Sequence, residues 1–169
     1  MTTRVICCYT KLPAQVKKAL NASGYSWEAI DVSDSDQAYF EVIQDLWNYG
    51  QGFALVEHDI VVGPETLKSF EDCSEPWCAS PYPYFAGTYA GLGCVRFRTE
   101  LIGQAKGLME EIANISNPLH PPGHYCTLDS WIQRGLYRRG FSIHRHEPVG
   151  HLHRWPTHGC VKEPVCAPQ

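Results

Sequence analysis

The sequence predicts an α/β fold: a single domain whose mainly parallel sheet is flanked by helices. Short apolar runs alternate with segments of helical periodicity through the first half of the chain. The 169 residues are about one domain's length and long enough for a substantial core. No repeat and no linker divides the chain, so 1–169 reads as one unit, with stretches at 1–62, 63–154 and an irregular tail at 155–169.

The elements follow in order. "RVICCY" (4–9) is a buried strand, and Pro13 precedes a helix running to about Asn21 and stopping at Gly24. "WEAID" (27–31) is a short second strand leading into the polar turn "VSDSD". Tyr39, Val42, Ile43, Leu46 and Trp47 recur at helical spacing, with Ser35 or Asp36 as cap and Gly50 as stop. "FALVE" is the next strand, and a helix follows from Pro64, a residue suited to a first turn. Residues 80–93 read as a Pro/Gly/Tyr loop, "CVRFR" as a strand and 99–113 as helix. "NPLHPPGHYC" is a loop, Thr127–Arg139 a helix ended by Gly140, and "FSIHRH" alternates like a strand.

Composition narrows the function. With 44% hydrophobic and 19% charged residues the chain is neither disordered nor fibrous. A net charge of −4 leaves no global footprint for nucleic acid or membrane. Arg134, Arg138, Arg139, Arg145 and Arg154 nonetheless crowd the last quarter and offer a local face to an anion. No segment has the zones of a signal peptide or the length of a membrane span. The expectation is a cytoplasmic protein with no membrane partner, whose eight cysteines stay reduced.

Ligands of parallel α/β sheets bind at the carboxyl ends of strands, where Asp31 and Glu57–Asp59 fall. In a strand, residues i and i+2 share a face, which sets Glu57 and Asp59 together and His58 opposite. Side-by-side carboxylates repel unless a cation neutralises them, and hard oxygen ligands suit Mg²⁺ or Mn²⁺. Taken alone, an E-x-D is more often an acidic turn solvated by water. "GHLH" puts His151 and His153 on one face by the same rule, as metal ligands or as one packed and one exposed histidine. In "TLDSWIQRGLYRRG", Leu128, Trp131, Ile132 and Leu136 form a buried stripe with Thr127 as cap. Asp129 then lies in the first turn, where the helix dipole favours its anion. It is either a general base or an ordinary helix-stabilising Asp. The glycines of "AGLGC" admit close backbone approach, and Tyr82, Tyr84 and Tyr89 suit either stacking on a ligand or loop packing. Neither a dinucleotide fingerprint nor a P-loop is present.

Taken in order, over about residues 4–153, these pieces resemble the GT-A class of nucleotide-sugar glycosyltransferases. "CYT" and "DVSDSD" look like its nucleotide-holding strand ends, which implies nucleotide contacts at Tyr9, Thr10 and Asp31. "EHD" stands where the class has D-x-D, implying Asp59 as principal metal ligand and Glu57 as a ribose or metal-water contact. "GLGCVRFRTELI" is similar to the segment lining the donor sugar, which brings in Gly91 and Gly93. "TLDSWIQRGLYRRGFSIHRH" resembles the segment of inverting members whose acid activates the acceptor, implying that role for Asp129, although Leu128 replaces a neighbouring acid. A later histidine completes the metal shell in the class, a place for His151 or His153, and Arg145 or Arg154 would touch the diphosphate.

The resemblance makes 1–62 the nucleotide-binding half and 63–154 the donor-sugar and acceptor half, with Mn²⁺ or Mg²⁺ as cofactor. It implies a nucleoside-diphosphate sugar, UDP-sugar foremost, and a hydroxyl acceptor. The acceptor side is short for the class, so the acceptor is expected to be large or exposed. A hydroxylated base in bacteriophage DNA is one that the compact size allows. Two rival readings are a nucleotidyltransferase and a zinc module built on His151, His153, His158, Cys160 and Cys166.

Overall fold

The computed structural model describes residues 3–84, 87–115 and 123–152. In strand β1 (Arg4–Tyr9), Val5, Ile6, Cys7 and Cys8 are all buried, because both faces of the strand are covered. Helix α1 (Ala14–Ala22) returns the chain to β2 (Trp27–Asp31), and α2 (Ala38–Tyr49) returns it to β3 (Phe53–Val56). Both β2 and β3 pair with β1 in parallel, as crossover helices require.

The chain then turns through β4 (Ile60–Val61) into α3 (Thr66–Asp72) and β5 (Trp77–Ala79). A hairpin of β6 (Tyr82–Tyr84) and β7 (Gly87–Tyr89) precedes β8 (Cys94–Phe97). Helices α4 (Thr99–Gln104), α5 (Leu108–Ala113) and α6 (Tyr125–Arg138) follow, then β9 (His144–Arg145) and β10 (Gly150–His151). The main sheet has the order β2-β1-β3-β8-β5-β9, and only β8 runs against the rest. The mainly parallel α/β sheet expected from the sequence is therefore present.

Alternation along β1 and β3 splits the core in two. Ile6, Cys8, Phe53 and Leu55 face a layer holding α2, α4, α5 and α6, where Trp47 and Phe97 meet edge to face at 5.3 Å. Val5, Cys7, Ala54 and Val56 face α1 and α3 through Val16, Leu20, Leu67 and Phe70. Among the described residues no helix is long and apolar enough to cross a membrane.

Several local expectations change. The helix expected from Pro64 begins at Thr66, whose Oγ1 accepts the Gly63 N–H at 3.0 Å. Residues 99–113 are two helices, because Gly107 at φ +85° takes a left-handed conformation that stops helix propagation. The 80–93 loop contains the β6–β7 hairpin. Alternation in "FSIHRH" yields only the two residues of β9, since a single partner, β5, holds that edge. Strand β5 itself went unread, being too short for a periodic signal.

Candidate active site at the carboxyl ends of the strands

The E-H-D stretch is a turn and not the strand tip that its alternation suggested. Ile60 N–H donates to the Glu57 carbonyl at 3.1 Å, closing a tight turn between β3 and β4. Glu57 N–H donates to the Gly93 carbonyl at 2.8 Å, tying the turn to the start of β8. Glu57 and Asp59 thus leave the turn toward two connected subsites.

In the first, Glu57 faces Tyr39 of α2 and Asp129 of α6. The Tyr39 hydroxyl is buried beside the Glu57 carboxylate without closing a hydrogen bond of ordinary length. Enclosure of Glu57, then the nearby charges of Asp129 and Asp59, raise its pKa well above the usual carboxylate range. Asp129 is raised too, by burial, against the pull of donors from Leu92 N–H and Tyr89. Two neighbouring buried carboxyl groups with raised pKa values are poised for cation binding or proton transfer.

The position of Asp129 corrects the sequence reading. Helix α6 starts at Tyr125, with Thr127 inside it, so Asp129 lies in the second turn and gains little from the helix dipole. Its Oδ2 instead accepts the Leu92 N–H at 3.1 Å. Gln133, one helical turn on, donates to the Ala90 carbonyl at 2.9 Å and to the Tyr89 hydroxyl at 3.2 Å. The 89–92 backbone and α6 are thereby buttoned together around Asp129.

Gly91 explains why that clamp can close. A Cβ there would collide with Asp129 Oδ2 and the Tyr89 ring, and one at Gly93 would meet the Tyr82 ring at 2.7 Å. Gly91→Ala is expected to cost about 1–3 kcal/mol of stability by overpacking and to misplace Asp129. Urea denaturation would read the stability change, and unaltered stability would contradict the close packing.

In the second subsite, β10 pairs antiparallel with β4, placing His151 opposite Ile60, and Leu152 N–H donates to the Asp59 carbonyl at 2.7 Å. His151 Nε2 then lies 3.2 Å from Asp59 Oδ2, with the two side chains 10% and 15% exposed. His151 Nδ1 is 2.8 Å from the Pro83 carbonyl. A carbonyl only accepts, so Nδ1 carries the proton and Nε2 turns toward the carboxylate. In the neutral ring that contact sets lone pair against anion, and a proton or a metal ion must lie between. Burial works against the charged forms of both groups, but the contact outweighs it, raising His151 and lowering Asp59. Asp59 Oδ1 is buried with no hydrogen-bond partner.

Tyr9 and Asp31 are adjacent in register at the ends of β1 and β2, with Thr10 exposed just beyond. Asp31 accepts the Ser33 N–H at 2.9 Å, and the Ser33 hydroxyl, then that N–H, lower its pKa. Arg145 lies elsewhere: it is exposed on β9, the opposite edge of the sheet, three strands from β3. Arg138 and Arg139 pair with Glu111, and Arg134 sits over the Trp131 ring at 5.0 Å, so the basic cluster is largely engaged. Tyr82 is buried against Tyr89 and His151 as packing. His153, Arg154 and the tail residues of the zinc reading lie outside the described residues. Sequence reasoning missed Tyr39, read as core, and Gln133, whose spacing of four from Asp129 was the available signal.

No family model matches the chain, and no curated protein matches it. Among solved structures, a glycosyltransferase involved in the glycosylation of the major capsid of PBCV-1 aligns at TM-score 0.52 and 14% identity, over 86% of this chain and 82% of that one. The chain has a GT-A-like fold. A197 from STIV aligns with this GT-A-like chain at TM-score 0.54 and 7% identity, over 87% and 83% of the two chains. A CMP:2-keto-3-deoxy-manno-octonic acid synthetase complexed with CTP aligns at TM-score 0.46 and 12% identity, over 89% and 90%. That likeness is too distant to weigh sugar transfer against nucleotidyl transfer.

The raised Glu57 pKa has a consequence for the folded state. A carboxyl whose pKa is higher folded than unfolded binds more protons when folded, so stability falls as pH rises from the ordinary carboxylate range toward its folded pKa. Metal-free protein is expected to melt progressively lower across that interval, and Glu57→Gln to flatten the slope. Parallel melting curves for the two proteins would refute the shift.

Proposed function

We propose that this chain is a metal-dependent glycosyltransferase, moving a sugar from a nucleoside-diphosphate sugar, UDP-sugar foremost, to an acceptor hydroxyl. The observation that carries the reading is the meeting of Glu57, Asp59, Asp129 and His151 from three segments of a GT-A-like fold, at the strand ends where such folds bind ligands.

The residues suit a hard divalent ion. Adjacent ligands on an octahedral ion stand roughly 3 Å apart, matching the 3.2 Å between Asp59 and His151. The orphaned Asp59 Oδ1 adds a free acceptor, and the Pro83 contact aims Nε2 as second-shell partners of metal-bound histidines do. Asp59 and His151 would hold Mn²⁺ or Mg²⁺, which neutralises charge developing on the leaving nucleoside diphosphate.

The chain's own residues do the rest. Asp129, clamped by Leu92, accepts the acceptor's hydroxyl proton while that oxygen bonds to the anomeric carbon and the diphosphate departs from the opposite face, with inversion. Its raised pKa brings a carboxylate closer to neutral, which strengthens it as a base. Tyr9, Thr10 and Asp31 border the nucleotide, Glu57 contacts ribose or metal-bound water, and Gly91 and Gly93 line the sugar. The acceptor is a hydroxyl on a large or exposed substrate. The ion pairs of Arg138 and Arg139 give no added support to nucleic acid.

A thermal-shift panel of nucleotide sugars with and without Mn²⁺ tests the proposal. A rise in Tm with one nucleoside-diphosphate sugar, dependent on Mn²⁺, is expected. Stabilisation by nucleoside triphosphates alone, with none by any sugar nucleotide, would favour nucleotidyl transfer instead.

A further inference from the structure

A second group of metal-ligating side chains lies away from the carboxylates. Cys73 ends α3, Cys78 is the middle residue of β5, and His146 follows β9 directly. One ligand atom from each lies within 4.8 Å of the other two, and they are the only such group among the described residues. Tetrahedral zinc with Zn–S near 2.3 Å holds neighbouring ligand atoms roughly 3.8 Å apart, so small side-chain rotations close the set.

One feature beside the cluster points to a ligand there, and a second favours the ionised sulfur that a metal needs. His146 Nε2 is buried and makes no hydrogen bond. A buried imidazole nitrogen without a partner is costly unless something binds it. The other feature is Arg96 on β8, which is 3% exposed. Its Nη2 donates to the Cys73 carbonyl at 2.7 Å, its Nε has no partner, and no described carboxylate pairs with it. A guanidinium cannot shed its charge, so its field acts on the neighbouring sulfurs at any pH. The Arg96 charge favours the thiolate of Cys78 against the burial that opposes it, and two thiolates balance the charge of one zinc ion.

We propose that Cys73, Cys78 and His146 bind a zinc ion as three of its ligands. Two soft sulfur ligands and an imidazole select zinc over the hard ions suited to Asp59 and His151. On binding, the two thiols release their protons to solvent and no electrons are transferred. The ion joins α3, β5 and the segment after β9. Besides β9, that segment is held by the His146 and Val149 N–H groups, which donate to the Ala79 and Pro81 carbonyls, and it leads five residues later to His151. The zinc is thus a structural staple for the strand that supplies the other site, and it does not depend on the proposed glycosyl transfer.

The full-length chain, produced with zinc in the medium and dialysed under a non-chelating reductant, should retain about one zinc per chain by elemental analysis. Replacement by Co²⁺ should give the intense near-ultraviolet absorption of thiolate-to-cobalt charge transfer. His146→Gln and Cys78→Ser should each lose the retained metal, while Asp59→Asn and the double change Cys160→Ser/Cys166→Ser should keep it. His146→Gln, at a half-buried position, decides the matter if Cys78→Ser does not fold. Removal of zinc by a chelator should raise amide exchange across 144–151. A dialysed chain without zinc, zinc retained by His146→Gln, zinc lost only on the tail substitution, or a Cys73–Cys78 disulfide in the freshly prepared protein would each overturn the proposal.

Discussion

Asp59→Asn is expected to lower Mn²⁺-dependent turnover of a nucleotide sugar by roughly 10³-fold or more, with little change in fold stability. The amide is nearly isosteric with the carboxylate and can turn its NH2 to donate to the His151 Nε2 lone pair, so β4 and β10 stay paired. It removes the charge that, with the Nε2 lone pair, would hold a divalent cation. Asp59 is also the carboxylate whose ionised form the protein favours, through His151 and with help from the nearby His58 charge. Steady-state rates over a Mn²⁺ titration would show the loss as a collapse of metal affinity. If donor hydrolysis continues at the original rate, Asp59 is not a metal ligand.

Asp129→Asn should separate transfer from donor binding. Loss of a general base lowers the transfer rate by about 10²–10⁴-fold. Donor affinity should remain close to the original, because Asp129 approaches the donor pocket from α6 and is not part of the β4–β10 subsite. The fold should tolerate the change or gain from it. The amide oxygen can still accept the Leu92 N–H, and removal of one of two mutually repelling carboxyls relieves Glu57. Transfer and donor-binding assays run side by side would check this. Equal losses in both would make Asp129 a donor-positioning group, with acceptor activation assigned elsewhere.

The parallel half of the fold was legible because its signals are local. The apolar run of β1, the 3/4 spacing in α2 and the stop at Gly50 each lie within about a dozen residues. Asp59 and His151 were legible as metal-ligand types and the resemblance put them together, but nothing local to either residue shows it, since their contact depends on β10 docking against β4. Asp129 was singled out for a reason that does not hold. The helix begins two residues before its expected start, and the carboxylate is held by a backbone amide from a distant segment. Arg145 was grouped with the diphosphate on charge alone, but strand order carries β9 to the far edge. The Cys73, Cys78 and His146 cluster has no compact motif in the sequence, because tertiary packing of α3, β5 and the segment after β9 brings its members together.

The Asp59–His151 contact spans 92 positions of chain. Closing a flexible loop of that length carries a length-dependent entropy cost of about 4 kcal/mol, which local structure around either residue cannot offset. While the polypeptide is being synthesised, the E-H-D turn and its strand can form long before His151 emerges. Through that interval the nascent chain holds its acidic residues without the imidazole that completes the pair. A cation held by this pair, as proposed, would find its site complete only once β10 has docked on β4.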